Sequence, residues 1–212
     1  MQAARPLAGF LLSSPPMPFQ RFIRDRDGWH TVATELQHEN PHVEVHRVTV
    51  TSPTRARPFP WTVCHRKAGV VIVPRTAAGE FLLVQEERVP IRATIWAFPA
   101  GQIDDSEEPD AIRATGLREL REEAGHQLAP GGEVVPLGHF FPSPGFTDEH
   151  SHLLLVRPVV PSPGGAAPDA NEGILGCRAF SQAELRAMIA SGEIGDANTL
   201  AAFARLVALG LM

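Results

Sequence analysis

The chain has 212 residues and a formal net charge of −5, within the range of one sizeable domain carrying a small appendage. That acidic balance argues against a general nucleic-acid binder, and no apolar run is long enough to span a bilayer. Cys64 and Cys177 lie far apart with no C-x-x-C pair, which argues against a zinc site or a disulfide framework and reads as reduced thiols in a cytoplasmic protein.

Residues 1–18 hold a short apolar stretch and one basic residue, Arg5, and read as a flexible tail rather than a signal peptide. Residues 19–66 read as a small β module. Trp29 to Thr34 and Val43 to Val50 alternate apolar with polar residues, the period of a strand. Pro58 and Pro60 are expected to break the chain near Trp61. His30, His38, His42 and His46 form no metal pattern and are expected to be exposed.

Residues 67–212 read as the main domain. Val70 to Val73 and Phe81 to Val84 flank the turn Thr76–Gly79 and predict a hairpin. Ile95 to Phe98 is a short strand ending at Pro99. Pro109 suits the first turn of a helix, where its missing N–H costs nothing, and the helix is predicted over 109–124 with Gly116 as a weak point in its middle. Gly125 gives the stop signal.

That helix carries Glu119, Glu122 and Glu123 at i, i+3 and i+4, which puts three carboxylates on one face. Crowding three negative charges costs free energy unless a cation sits among them, and hard oxygen ligands suit Mg2+ or Mn2+. Leu117, Leu120 and Ala124 fall on another face and can dock the helix to a core. Val134 to Phe141 and His152 to Val160 read as strands, joined by the loop 142–150. Residues 162–171 form a second loop. Ser181 and Glu184 resemble a capping box for a helix at 182–191, and 199–211 reads as a last helix with a broad apolar face.

Phe98-Pro-Ala-Gly101 followed by Glu107 and then Arg118-Glu-Leu-Arg-Glu-Glu-Ala-Gly125 resembles the Nudix box, G-x5-E-x7-R-E-U-x-E-E-x-G-U, with U a bulky aliphatic residue. Two departures stand out. Ten residues separate Glu107 from Arg118 where the pattern has seven, and the last position is His126. Three extra residues come close to one helical turn of about 3.6, so the second half of the box stays in register whether they lengthen the helix or the loop before it. Outside the box, Ser143-Pro-Gly-Phe-Thr-Asp-Glu149, Gln85-Glu-Glu-Arg88 and the strand-rich N-terminal module are similar to the ADP-ribose pyrophosphatase branch. The likeness spans roughly residues 43–208.

The resemblance implies an α/β/α sandwich with a mixed sheet and a small N-terminal antiparallel β module that builds a homodimer. It implies Mg2+-dependent (or Mn2+-dependent) hydrolysis of the pyrophosphate of ADP-ribose or a related nucleoside diphosphate sugar. UDP- or GDP-sugars or dinucleotides are the alternative substrates, and a catalytically idle nucleotide-binding module is the alternative function. Neither nucleic acid nor membrane is an expected partner. Glu119, Glu123 and Glu122 are the implied metal carboxylates, with the carbonyl of Ala100 as a further ligand. Glu107 holds an outer metal or caps the helix. Arg118 is expected to orient a carboxylate through its planar fork. Glu149 is the implied base for the attacking water, with Glu122, Asp148 and His150 as the other candidates. Arg88 suits a phosphate, and Trp29, Trp61 and Phe146 suit a nucleobase or ribose, against the plainer readings of salt bridge, core and interface.

Overall fold

The computed structural model describes residues 25–104, 106–169 and 172–212. The expected tail at 1–18 lies outside them. Two sheets are present. The first is antiparallel, in the order β1 (His30–Asn40), β2 (Val43–Ser52), β3 (Arg55–His65). The second contains β4 (Gly69–Thr76), β5 (Phe81–Arg88), β6 (Ala93–Ala97), β7 (Ala100–Gln102), β8 (His126–Phe140), β9 (Ser151–Pro161) and β10 (Ile174–Phe180). Its path runs β10-β5-β4-β9-β8, with β6 on β5 and β7 on β4. The β4–β9 pairing is parallel and the others are antiparallel, so the sheet is mixed.

The central strands explain the layering. The runs Val70–Pro74 of β4, Phe81–Val84 of β5 and Leu153–Val156 of β9 are apolar and buried throughout, the pattern of strands covered on both faces. Successive side chains go to opposite sides. Val70, Ile72, Leu82, Val84, Leu154 and Val156 pack in one core with Ile112, Leu120 and Ala124 of α1 (Pro109–Ala124). Val71, Val73, Phe81, Leu83, Leu153 and Leu155 pack in another with Leu185 and Met188 of α2 (Gln182–Ser191) and Ala202 and Leu206 of α3 (Ala197–Ala208). The result is an α/β/α sandwich.

Helix α1 has the predicted bounds, with Pro109 in its first turn and the Gly125 N–H donating to the Arg121 carbonyl at 3.1 Å. Ser181 and Glu184 form the predicted capping box. The expected weak point at Gly116 has a packing reason: a Cβ there would lie 2.8 Å from Leu154 Cδ1, so only glycine lets α1 approach the sheet this closely.

Several expectations need correction. Strand β3 runs straight through Pro58 and Pro60, with Pro60 opposite Thr49. It is an edge strand, where a missing N–H breaks no ladder on the open side. Strand β8 begins at His126, well before Val134, because it pairs with β9 from the His126–Pro161 pair on, and a register shift between Leu128 and Glu133 absorbs Gly131 and Gly132. Strands β7 and β10 were not anticipated; each is short or broken in pattern and is held by its partner strand. His30, His38 and His42 are exposed, but His46 is buried, with Nε2 2.8 Å from Glu44 Oε2 and its ring edge-on to His65. Cys64 and Cys177 are free thiols. Among the described residues, no helix is long and apolar enough to cross a membrane.

Candidate functional site

The site is built where α1 passes the short strand β7. Glu119 and Glu123, one turn apart, face inward and are 4% and 5% exposed. The Ala100 N–H donates to Glu123 Oε2 at 3.0 Å, which ties the strand to the helix. Gly101 makes this approach possible. A Cβ at that position would lie 1.9 Å from Glu119 Oε1.

Arg118 forks across two carboxylates, with Nη2 2.6 Å from Glu119 Oε1 and Nη1 2.6 Å from Glu122 Oε2. Glu122 is otherwise on the outer side of the helix, and its side chain is 34% exposed.

A residue that the sequence did not single out completes the group. Glu172, exposed on the loop before β10, brings a carboxylate oxygen within 4.8 Å of oxygens from Glu119 and Glu123. It lies about fifty positions from the helix in a stretch with no periodicity, so no local signal marks it. Glu86 on β5 adds to the negative field: burial pushes its carboxyl above the usual range, with Arg88 acting in the opposite sense.

These charges are costly without a counter-ion. Burial pushes Glu123 up to about 8, opposed by the Ala100 N–H and reinforced by Glu119, Glu86 and Glu172. Burial also raises Glu119, with Arg118 opposing and Glu122 and Glu172 reinforcing. Deeply placed oxygen donors whose charges oppose one another fit a hard divalent cation.

Other candidates sit elsewhere. Glu107 is not part of the Glu119–Glu123–Glu172 group; its Oε2 lies 2.6 Å from His150 Nε2 and 3.1 Å from His152 Nε2. Glu149 forms an ion pair with Arg66 at 3.0 Å. Asp148 is bonded to His65 Nδ1 and accepts from the Arg66 N–H at 3.3 Å. The Cys64 N–H donates to the Phe146 carbonyl at 2.7 Å, and Trp61 Nε1 donates to the Gly145 carbonyl at 3.1 Å. The 142–150 loop is thus laid along the end of β3 within one chain. Arg88 pairs with Glu86 at 2.9 Å.

Trp61 and Phe146 are 50% and 56% exposed and share this β3–loop edge. Trp29 is 49% exposed at the start of β1, on the opposite side of the first sheet.

The model of the NUDIX domain matches residues 65–203. An ADP-ribose pyrophosphatase of Bacillus subtilis (strain 168) is 35% identical over 88 residues, 42% of this chain and 44% of that protein. A methanol dehydrogenase activator of Bacillus methanolicus is 30% identical over 110 residues, 52% of this chain and 56% of that one. An ADP-ribose pyrophosphatase of Mycobacterium tuberculosis (strain ATCC 25618 / H37Rv) is 31% identical over 127 residues, 60% of this chain and 58% of its own. The matches thus span about half the length of these relatives. The crystal structure of an ADP compounds hydrolase superposes with a TM-score of 0.70 at 16% identity, covering 90% of this chain and all of the other, a likeness of fold.

Proposed function

The chain belongs to the Nudix family, and from that premise we propose that it hydrolyses the pyrophosphate bond of ADP-ribose or a related nucleoside diphosphate sugar, with Mg2+ as cofactor. The products would be a nucleoside monophosphate and a sugar phosphate. The observation that carries this reading is the convergence of Glu119, Glu123 and Glu172 beside Gly101, with two of the three carboxylates buried. The names of two relatives support the choice of substrate class.

Glu119, Glu123 and the carbonyl of Ala100 are the residues that would hold Mg2+. When bound, the cation supplies charge neutralisation at the diphosphate oxygens. Gly101 keeps the backbone close to the carboxylates, and Arg118 fixes the rotamers of Glu119 and Glu122. Glu172 stands on a loop at the open side of the pair, and we assign it the proton of the attacking water. Glu149 can take that role only by leaving Arg66. Trp61 and Phe146 offer exposed ring faces to a base or ribose, and Arg88 offers a guanidinium to phosphate if it leaves Glu86.

The first sheet is the proposed dimerisation module, residues 19–66 of the chain. Val32 and Leu36 on the edge strand β1, 51% and 48% exposed, are two apolar side chains that a second copy can cover.

Turnover across ADP-ribose, UDP-glucose, GDP-mannose, NADH, diadenosine polyphosphates and dGTP, with Mg2+ or Mn2+, tests the reading. Preference for ADP-ribose upholds it; preference for another member keeps the carboxylate chemistry and overturns the pocket. The relative named as a methanol dehydrogenase activator gives a second reading, a nucleotide-binding module that acts on another protein. Tight ADP-ribose binding without turnover would select that one.

A further inference from the structure

The Nudix box glutamate Glu107 is held by two histidines. Its Oε2 lies 2.6 Å from Nε2 of His150 and 3.1 Å from Nε2 of His152. One ligand atom from each of the three residues falls within 4.8 Å of the others. His150 is 2% exposed, and the side chains of His152 and Glu107 are 18% and 22% exposed. A third imidazole, His139, has its ring 6.1 Å from that of His150 and 6.0 Å from that of His152. The four residues come from four places: the loop before α1, the paired strands β8 and β9, and the end of the 142–150 loop.

The surroundings of His150 bear on what belongs between these groups. Its Nδ1 lies 3.4 Å from the carbonyl oxygen of Asp148, an atom that only accepts. With the ring proton on Nδ1, the Nε2 of a neutral His150 is a lone pair aimed at a carboxylate oxygen. Two acceptors at 2.6 Å repel unless a cation stands between them. A neutral ring with its proton on Nε2 instead can donate to Glu107, but it turns the Nδ1 lone pair toward the Asp148 carbonyl oxygen at 3.4 Å. A divalent metal meets the same need with both histidines neutral. An imidazole whose second nitrogen donates to a backbone carbonyl is also the usual arrangement of a metal-bound histidine, since that bond fixes the tautomer.

The dimensions agree. Tetrahedral ligands at about 2.0–2.1 Å from zinc stand about 3.3 Å apart, so the observed 2.6 and 3.1 Å need only small side-chain movements outward. Two nitrogens and one carboxylate suit Zn2+ or another late first-row ion better than Mg2+, which demands oxygen. The expectation against a zinc site rested on cysteine spacing and does not bear on a set built without sulfur.

We infer that Glu107, His150 and His152, with His139 in reach as a fourth donor, form a binding site for a divalent transition metal, separate in its residues from the Glu119–Glu123–Glu172 group. A bound ion would pin the loop before α1 to β9 and to the 142–150 loop. The inference does not depend on which substrate is hydrolysed.

The test uses the full chain after chelator treatment and dialysis, titrated with CoCl2 in excess Mg2+. One equivalent of Co2+ should bind with visible absorption of low-coordinate, imidazole-bound cobalt, be displaced by ZnCl2, and raise Tm. His152→Gln can still hydrogen-bond Glu107 but lacks the imidazole donor; it should lower Co2+ affinity at least about tenfold. Glu119→Gln should leave the cobalt spectrum unchanged, which separates this site from the catalytic one. X-ray absorption on the zinc-loaded wild type should show at least two imidazoles, a reading that needs no variant to fold. Binding insensitive to a folded His152→Gln, loss of the spectrum in Glu119→Gln alone, a zinc site without imidazole scattering, or no Co2+ bound at 100-fold excess over protein would each overturn the proposal and leave a hydrogen-bonded network only.

Discussion

Glu119 occupies the space that a side chain at residue 101 would need. A Cβ built on Gly101 lies 1.9 Å from Glu119 Oε1, 2.1 Å from Cδ and 2.5 Å from Cγ. The box glycine and the box glutamate are therefore one device: the absence of one side chain makes the position of the other.

Gly101→Ala should accordingly damage the site more than the fold. Glu119 is buried and clamped by Arg118, so it cannot swing away without breaking that pair. A displacement of about 1 Å in a catalytic arrangement costs on the order of 100-fold in rate. We expect a fall in kcat of that size and weaker Mg2+ dependence, with far-ultraviolet circular dichroism unchanged. Full activity would show that Glu119 is not held where the reaction needs it.

Glu123 should couple cation binding to protons. With its carboxyl pushed up to about 8 by burial, it is largely protonated at pH 7 and must lose a proton to bind Mg2+. Apparent affinity should rise with pH and level off above about 8. Calorimetry in two buffers of different ionisation enthalpy reads the released proton. The stability of the metal-free chain should run the other way. The native state keeps a proton that the unfolded state has released, so stability is full below the ordinary carboxylate value of 4.5 and falls as pH rises toward about 8. Glu123→Gln should lose that slope in thermal melts, and its metal-dependent turnover should fall more than about 100-fold.

Glu172 and Glu149 can be ranked directly. Glu172→Gln should lower kcat by about 100-fold or more, with its pH–rate profile losing the basic group, while KM changes little. Glu149→Gln, which breaks only an ion pair with a half-exposed Arg66, should lower kcat less than tenfold. The reverse order would return the base to Glu149 and require the 142–150 loop to leave β3.

Gly116→Ala tests packing against propensity. Alanine gains about 1 kcal/mol in a helix interior. Here the new methyl would sit 2.8 Å from Leu154 Cδ1 and 3.4 Å from Val70 Cγ2. Overpacking of a filled core costs about 1–3 kcal/mol, so the net sign should be destabilising. Equilibrium denaturation should show a lower midpoint; a higher one would mean that the Leu154 side chain yields freely.

Local features were legible in the amino-acid order. Pro109 and Gly125 bound α1 because a missing N–H and a glycine stop act within one turn. Ser181 and Glu184 cap α2 because their side chains reach only the adjacent backbone. The apolar runs at 70–73 and 81–84 read as strands because both faces of the sheet are covered. The i, i+4 spacing of Glu119 and Glu123 is itself a statement about one helix face. What the sequence could not decide depends on residues that meet through space. Glu172 joins the carboxylates from a loop whose position follows from β10 pairing with β5. Glu107 meets His150 and His152 at the start of β9, more than forty positions away in sequence. Pro58 and Pro60 lie in a strand because β3 is at an edge, and edge status is a property of the assembled sheet. Spacing along a chain encodes periodic, short-range hydrogen bonding; the meeting of distant loops is set by sheet order and core packing, which no single segment carries.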